Sequence, residues 1–258
     1  MAQTLKYKKM IAIYTLWIRQ LKRYFRSKSR IVGSLGQPLL FLLALGFGMG
    51  PVFQAAGQGN YIEFLVPGVV AMSILFLSVF NGIEVIWDRQ LGFLKETMVA
   101  PVPRWQIMLG RTLGGATVAV LQGIIVLIIS LIAGFVSISS VWQAILVFIF
   151  MFLIALVFTA LGTAIGSALE DMNGFHLIVN FLIMPIFFLS GALFPLENLP
   201  KVIDGITRAN PLSYGVDGLR GALGGAVHMG LITDFWILGI IAVVIIGIGS
   251  YLFSKIQI

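Results

Sequence analysis

Apolar residues run through the chain in six long stretches, about 31–53, 64–87, 110–136, 141–168, 174–194 and 234–254, each bounded by charges or turn residues. A helix needs about 20 mostly apolar residues to cross about 30 Å of hydrocarbon, so each stretch predicts a transmembrane helix. The N-terminal segment follows another pattern. At about 100° per residue, Met10, Ile13, Tyr14, Trp17, Leu21, Tyr24 and Phe25 share one helical face, and Lys8, Lys9, Arg19, Lys22, Arg23 and Arg26 lie opposite. This predicts an amphipathic helix over residues 1–30, lying in the membrane interface with its apolar side toward acyl chains and its basic side toward phosphates. A solvated basic tail, the alternative, has no need of the aromatic stripe. Lys6, Lys8 and Lys9 ahead of Met10 to Ile18 imitate a signal peptide, but the run is short and passes into Arg19, Lys22, Arg23 and Arg26 without a small-residue cleavage site. The expected fold class is therefore all-α integral membrane: an interfacial helix, then one six-span domain over 31–258.

Composition fits this pattern. Of 258 residues, 59% are apolar and 10% charged, against about a quarter charged in soluble domains. Mean hydropathy is +1.02. No cysteine is present, which excludes disulfide scaffolds, zinc–thiolate sites, iron–sulfur clusters and thiol nucleophiles. The net charge of +7 is uneven, with 9 of the 17 Lys and Arg in the first 30 residues and no acid among them. Such a block reads as membrane-surface contact and topology control, not as nucleic-acid binding. Along alternate sides of the six spans, 14 basic residues stand against 3, which predicts that both termini and the 88–109 loop are cytoplasmic and that 54–63 and 195–233 face outward.

Motifs for soluble-type chemistry are missing. The nearest approach to a P-loop is Gly110-Arg111-Thr112, with Trp105 where the first glycine belongs and arginine for lysine, so the chain is not expected to bind ATP by that route. His176 and His228 belong to no metal-spaced cluster, and Gly-x-Ser-x-Gly does not occur. Asp217-Gly218-Leu219-Arg220 lacks the further spaced aspartates of a membrane phosphotransferase. Gly110-x-x-x-Gly114 and Gly162-x-x-x-Gly166 carry a spacing that lets helices approach closely, for packing within the chain or for contact with a second copy.

Two connecting segments hold the informative polar residues. Between spans two and three, Leu91, Leu94 and Met98 recur at helical spacing with charges among them, and Pro101 and Pro103 end the run. This predicts a short half-apolar helix displayed for another protein, or else a charged turn that only orients the spans. After span five, Pro195, Pro200 and Pro211 bracket the runs Leu199 to Ile206 and Leu212 to Leu219, which are too short to span and too apolar for a solvated loop. They are expected to dip back into the membrane, with Asp217 and Arg220 spaced for an ion pair. The alternative is a folded outer loop capping the bundle. In span two, Asn81 and Glu84 share a face, marking a transport pathway or, for Glu84, a side chain snorkelling to the headgroups. Met72, Phe76, Phe80, Phe181, Met184 and Phe188 would suit a cavity for apolar cargo, and serve equally as core or lipid-facing positions.

These two segments carry a resemblance. Phe188-Leu189-Ser190-Gly191 through Phe194-Pro195 to Leu199-Pro200, then Asn210-Pro211-Leu212 with Tyr214, Asp217 and Arg220, is similar to the permeases of the ABC type 2 exporter family. Glu96, Pro101, Arg104 and Leu109-Gly110-Arg111 match the family's segment joining spans two and three. Gln90 departs from it, standing where many relatives carry an acid. The resemblance covers essentially the whole chain. It implies that Leu91 to Ala100 is a coupling helix seated on a separate nucleotide-binding ATPase subunit, which carries the ATP and Mg. Leu91, Leu94, Lys95, Met98 and Pro101 would form that contact, with Glu96 and Arg104 as polar partners. It further implies re-entrant helices at an outer gate of Pro195, Pro200, Asn210, Pro211, Tyr214, Asp217 and Arg220. The unit would be two permease copies, expected as a homodimer in the cell membrane, with two ATPase subunits, exporting a drug, a lipid or a lipid-linked glycan. The opposing reading is an autonomous secondary transporter or channel, which needs no docking helix and calls for more central charges.

Overall fold

The computed structural model describes residues 2–57, 59–99, 102–196 and 200–255, and every regular element among them is an α-helix. The amphipathic segment is α1 (Ala2–Arg26), and the first span is α2 (Lys28–Ala55). The second stretch is a broken helix, α3 (Tyr61–Phe80) and α4 (Ile83–Gln90), followed by the short α5 (Phe93–Val99). Then come α6 (Arg104–Ile132), α7 (Val141–Ala168) and α8 (Met172–Phe188). Two short helices, α9 (Lys201–Ala209) and α10 (Pro211–Ala222), precede α11 (Leu231–Ser254). By length and composition, α2, the α3–α4 pair, α6, α7 and α11 are able to cross a membrane.

The fifth stretch differs from expectation. Residues 174–194 read as one span, but α8 has 17 residues, about 26 Å of helix. The chain turns at Leu189 to Phe194, with Gly191 at φ 74°, a backbone region that favours glycine. Pro185 stays inside the helix.

The core is centred on α3, apolar all round, with every residue from Leu65 to Leu75 buried. It packs against α2, α6, α7 and α10. Small residues set the closest approaches. A Cβ on Gly82 would stand 2.0 Å from the Gly162 carbonyl oxygen, and one on Gly166 would stand 2.3 Å from that of Gly82. The break between α3 and α4 thus sits where two backbones touch. Gly110 and Gly114 bring α6 against α1, where a Cβ would meet the Ile13 backbone at 3.1 Å and Gln20 Cγ at 2.7 Å. Both glycine pairs pack helices within the chain.

The aromatic side of the amphipathic α1 turns in part onto α6. Its Trp17 indole donates to Thr117 Oγ1 at 3.0 Å, and the Tyr24 hydroxyl to Gln122 Oε1 at 2.9 Å, both on α6. Tyr14 and Phe25 remain exposed. Of the basic residues, Lys22 and Arg26 are exposed, while Arg19 and Arg23 are half-buried for a reason given below.

Candidate functional site

Two polar regions stand at opposite ends of the bundle. The near end gathers α1, the start of α2, α4, α5 and the start of α6. At its centre is α4, whose carboxylates are buried: Glu84 is 2% exposed and Asp88 3%. Arg30 at the start of α2 donates to Glu84 Oε1 at 3.2 Å and to Asn81 Oδ1 at 3.0 Å. Arg23 on α1 stands 3.4 Å from the other Glu84 oxygen and lies over the Trp87 ring. Asp88 accepts from Arg19 at 2.9 Å through one oxygen and from the buried Arg111 of α6 through the other. Asn81 also donates to the Gly115 carbonyl of α6 at 3.2 Å. Two acids thus hold four arginines from three helices, because a buried carboxylate is tolerable only when paired. Glu84 does not snorkel; it anchors this network. The opposite side of α4 grips the α7–α8 junction. Arg89 donates to the Ser167 and Leu169 carbonyls at 3.1 and 3.2 Å, filling acceptors left open at the end of α7.

From this hub the chain turns at Gly92, φ 79°, into α5. The sequence placed Leu91, Leu94 and Met98 on one docking face, and the structure separates Leu91 from Leu94. Leu91 ends α4 and is 67% exposed. Leu94 is 2% exposed and turns inward onto Val85, Ile107, Met108 and Phe253, so it belongs to this chain's own core. Among the described side chains of this segment, the exposed large apolar residues are Leu91, Phe93, Val99 and Trp105. Of Lys95, Glu96 and Met98 only the helix backbone is described; their side chains, and Pro101, lie outside the described residues. Arg104 donates to the Ser254 carbonyl in the last turn of α11, tying the start of α6 to the end of α11.

At the far end, polar side chains meet backbone. Asn210 caps α10 by accepting from Leu212 N at 2.9 Å and donates to the Ile186 carbonyl at 2.7 Å. Ser213 donates to the Leu189 carbonyl at 3.4 Å, Arg220 to that of Gly191 at 2.9 Å, and Tyr61 to that of Leu193 at 3.0 Å. Together they satisfy the carbonyls that open where α8 ends and the chain turns. The Tyr214 hydroxyl donates to the Arg208 carbonyl at 2.6 Å. The expected Asp217 with Arg220 ion pair is not formed. Asp217 accepts from the backbone N–H groups of His228 at 2.9 Å and Met229 at 2.7 Å, and the Arg220 guanidinium lies 4.0 Å above the Phe64 ring. Burial pushes the Arg220 pKa down to about 10, opposed by the Asp217 charge, so the guanidinium stays charged at neutral pH.

The two short helices behave differently. Residues 212–219 of α10 are buried among α3, α7 and α11, as a helix returning into the bundle should be. In contrast, α9 exposes Val202 and Ile206 and lies on the surface. Pro200 precedes α9, Pro211 opens α10, and Pro195 borders a cavity of about 1000 Å³ at this end, lined by Phe64, Phe135, Asp217, Arg220 and His228 among others. Leu199 lies outside the described residues.

The six apolar residues expected to line a substrate path divide. Met72 is enclosed in the core. Phe76 packs on Phe187 with ring centroids 6.2 Å apart, and Phe80 on His176 at 5.7 Å. Phe181, Met184 and Phe188 face outward from α8. Within one chain they form no common lining.

The family model described as ABC-2 type transporter matches residues 11–223, from α1 through α10. The chain is 30% identical to nodulation protein J of Rhizobium leguminosarum bv. trifolii over 192 residues, 74% of this chain and 72% of that protein. It is 26% identical to the inner membrane transport permease YadH of Escherichia coli (strain K12) over 249 residues, 96% of this chain and 95% of the relative. A putative transport permease, ycf38 of Cyanophora paradoxa, is 28% identical over 204 residues, 78% of this chain and 69% of that protein. Family membership sets aside the autonomous transporter or channel and implies association with an ABC ATPase subunit. With its buried ionic hub, its short helix beside it and its re-entrant α10, the chain belongs to the ABC-2 type transporter family, as a multi-pass membrane permease subunit.

Proposed function

We propose that two copies of this chain, with two ATPase subunits that bind ATP and Mg, form an exporter for an apolar or amphipathic substrate such as a drug, a lipid or a lipid-linked glycan. The near end is cytoplasmic, in keeping with the basic asymmetry of the loops. The observation that carries this reading is the group Leu91, Phe93, Val99 and Trp105, apolar and exposed around α5 at the end where the ionic hub anchors it. A half-apolar helix of this kind seats its anchors in a partner's groove. Nodulation protein J and YadH are relatives, and the substrate classes named here are the ones this family resemblance suggests.

The test is isolation of the complex from its native membrane through a tag on this chain. ATP hydrolysis is expected in the complex and absent from the chain purified alone. Phe93→Asp and Val99→Asp should reduce recovery of the ATPase subunit by about ten-fold or more, as loss of an interface anchor typically does. Leu94→Asp is a poor probe, because it strikes the chain's own core. Hydrolysis by the pure chain would overturn the assignment. In this cysteine-free sequence, Lys95→Cys should label from the cytoplasm and Gln58→Cys from outside; the reverse pattern would overturn the orientation.

A further inference from the structure

The ionic hub of α4 joins elements that no local bonding would connect. Arg30 belongs to the first turn of the first span, Arg23 and Arg19 to the interfacial helix, and Arg111 to α6, yet all four close on two carboxylates within five residues of α4. One turn further along α4 the chain passes into α5, and Leu94 of α5 shares a buried cluster with Val85 of α4, Ile107 and Met108 of α6 and Phe253 of α11, against which Leu16 of α1 packs. A displacement applied to α5 therefore reaches α4 through packed side chains, and reaches α1 and the start of α2 through ion pairs. Direct packing between α1 and α2 is slight by comparison with that between α1 and α6. The first span is mostly exposed along its length and packs chiefly on α3, and the polar contacts at its start add a hold on its near end.

We infer that Glu84 is a positioning residue that clasps Arg23 of α1 and Arg30 of α2 to α4, so that the interfacial helix and the near end of the first span follow the docking helix as one body. The inference rests on the proposed ATPase partnership for its mechanical input, whereas the clasp itself belongs to this chain alone. Its physical basis is burial. A Glu84 side chain 3% exposed loses much by separating from its arginines, so the arginines follow it. Arg23 and Arg30 are 37% and 29% exposed, so they remain hydrated when the carboxylate is neutralised, and Glu84→Gln leaves the fold standing where loss of Asp88 would strand the buried Arg111.

Two measurements test this. In the detergent-solubilised chain without partner, Glu84→Gln and Arg30→Gln should speed amide hydrogen exchange across residues 19–30 by about ten-fold, the scale of a lost charged hydrogen bond, while α7 is unaffected. The conservative Glu84→Asp should restore most of the protection. In the tagged complex, a fluorophore on Leu40→Cys, an exposed site of α2, should change its emission when Mg-ATP and vanadate trap the ATPase subunits. In Glu84→Gln the change should shrink by about five-fold or more, the range of ordinary coupling free energies, with ATP hydrolysis retained. Unaltered exchange in the chain alone would overturn the clasp whatever its partner. A full emission change in Glu84→Gln would overturn its role in transmission. Failure of any ATPase subunit to accompany the wild-type chain would overturn the proposed function instead, and the exchange experiment would still judge the clasp.

Discussion

The near and far ends of the bundle handle buried polar groups in opposite ways. At the near end, arginines meet carboxylates: Arg19 and Arg111 on Asp88, Arg23 and Arg30 on Glu84. At the far end, Asn210, Ser213, Arg220 and Asp217 all meet backbone. The difference follows from helix continuity. Where α8 stops short, the carbonyls of Ile186, Leu189, Gly191 and Leu193 have no helical donor, and in an apolar bundle something must supply one. At the near end Glu84 and Asp88 lie within the single helix α4, whose own bonds are made, so these carboxylates are left to pair with arginines, while Arg89 and Arg104 meet the carbonyls at the ends of α7 and α11. One end is held by side-chain partnerships that can be exchanged, the other by side chains fixed to an irregular backbone.

The sharpest way to break this comparison is Asp88→Ala. It leaves the Arg111 charge buried without its partner, and the expected loss is about 3 to 5 kcal/mol of stability, measured by unfolding in detergent. Replacing both members, Asp88→Leu with Arg111→Met, should recover most of that loss, since a buried pair can often be exchanged for apolar residues of similar volume. Without such recovery, the near end would not be a set of exchangeable partnerships.

Next in size is Asp217→Ala. It strips the His228 and Met229 N–H groups of a charged acceptor, at about 2 to 4 kcal/mol. The donors it leaves are main-chain N–H groups that no side-chain substitution replaces; Asp217→Asn should retain part of the stability. If any single partner mutation rescued Asp217→Ala, the contrast between the ends would fail. Asn210→Ala should cost about 1 to 2 kcal/mol through loss of the α10 cap and the bond to Ile186. The smallest effect is expected from Asp204→Ala on the surface helix α9, whose pair with Arg208 is exposed and should contribute under about 0.5 kcal/mol. Proteolysis or unfolding that responded strongly to Asp204→Ala would mean that α9 is held more firmly than its exposure indicates.

Much of this was legible in the residues. Long apolar runs bounded by charges announce spans, and Pro211 after Asn210 announces a helix start that the structure contains. The motif of Asn210, Tyr214, Asp217 and Arg220 was recognisable as a unit, but the spacing of Asp217 and Arg220 suggested a pair between them. Spacing along a helix reports which side chains could meet, and nothing about carbonyls opened elsewhere by a neighbouring turn. The same limit applies to α5. Periodicity put Leu91 and Leu94 on one face; the bend at Gly92 and the neighbours Ile107, Met108 and Phe253 turn Leu94 inward. Phe93 and Val99 were missed as exposed anchors because apolar character alone does not distinguish a covered position from an open one.

The sequence by itself determined that this is an all-helical membrane protein, the approximate course of its apolar helices, and that its basic residues crowd the N-terminal segment. Those properties depend on local composition and period, which a bilayer reads without reference to tertiary contacts. Only the tertiary structure decided which arginine meets which acid, that span two breaks at Asn81 and Gly82 against Gly162, and that α10 enters the bundle while α9 stays outside. Those outcomes depend on separation in space: Arg30 and Glu84 are 54 residues apart in the chain and 3.2 Å apart in the fold, and only the packing of the helices between them brings the charges together.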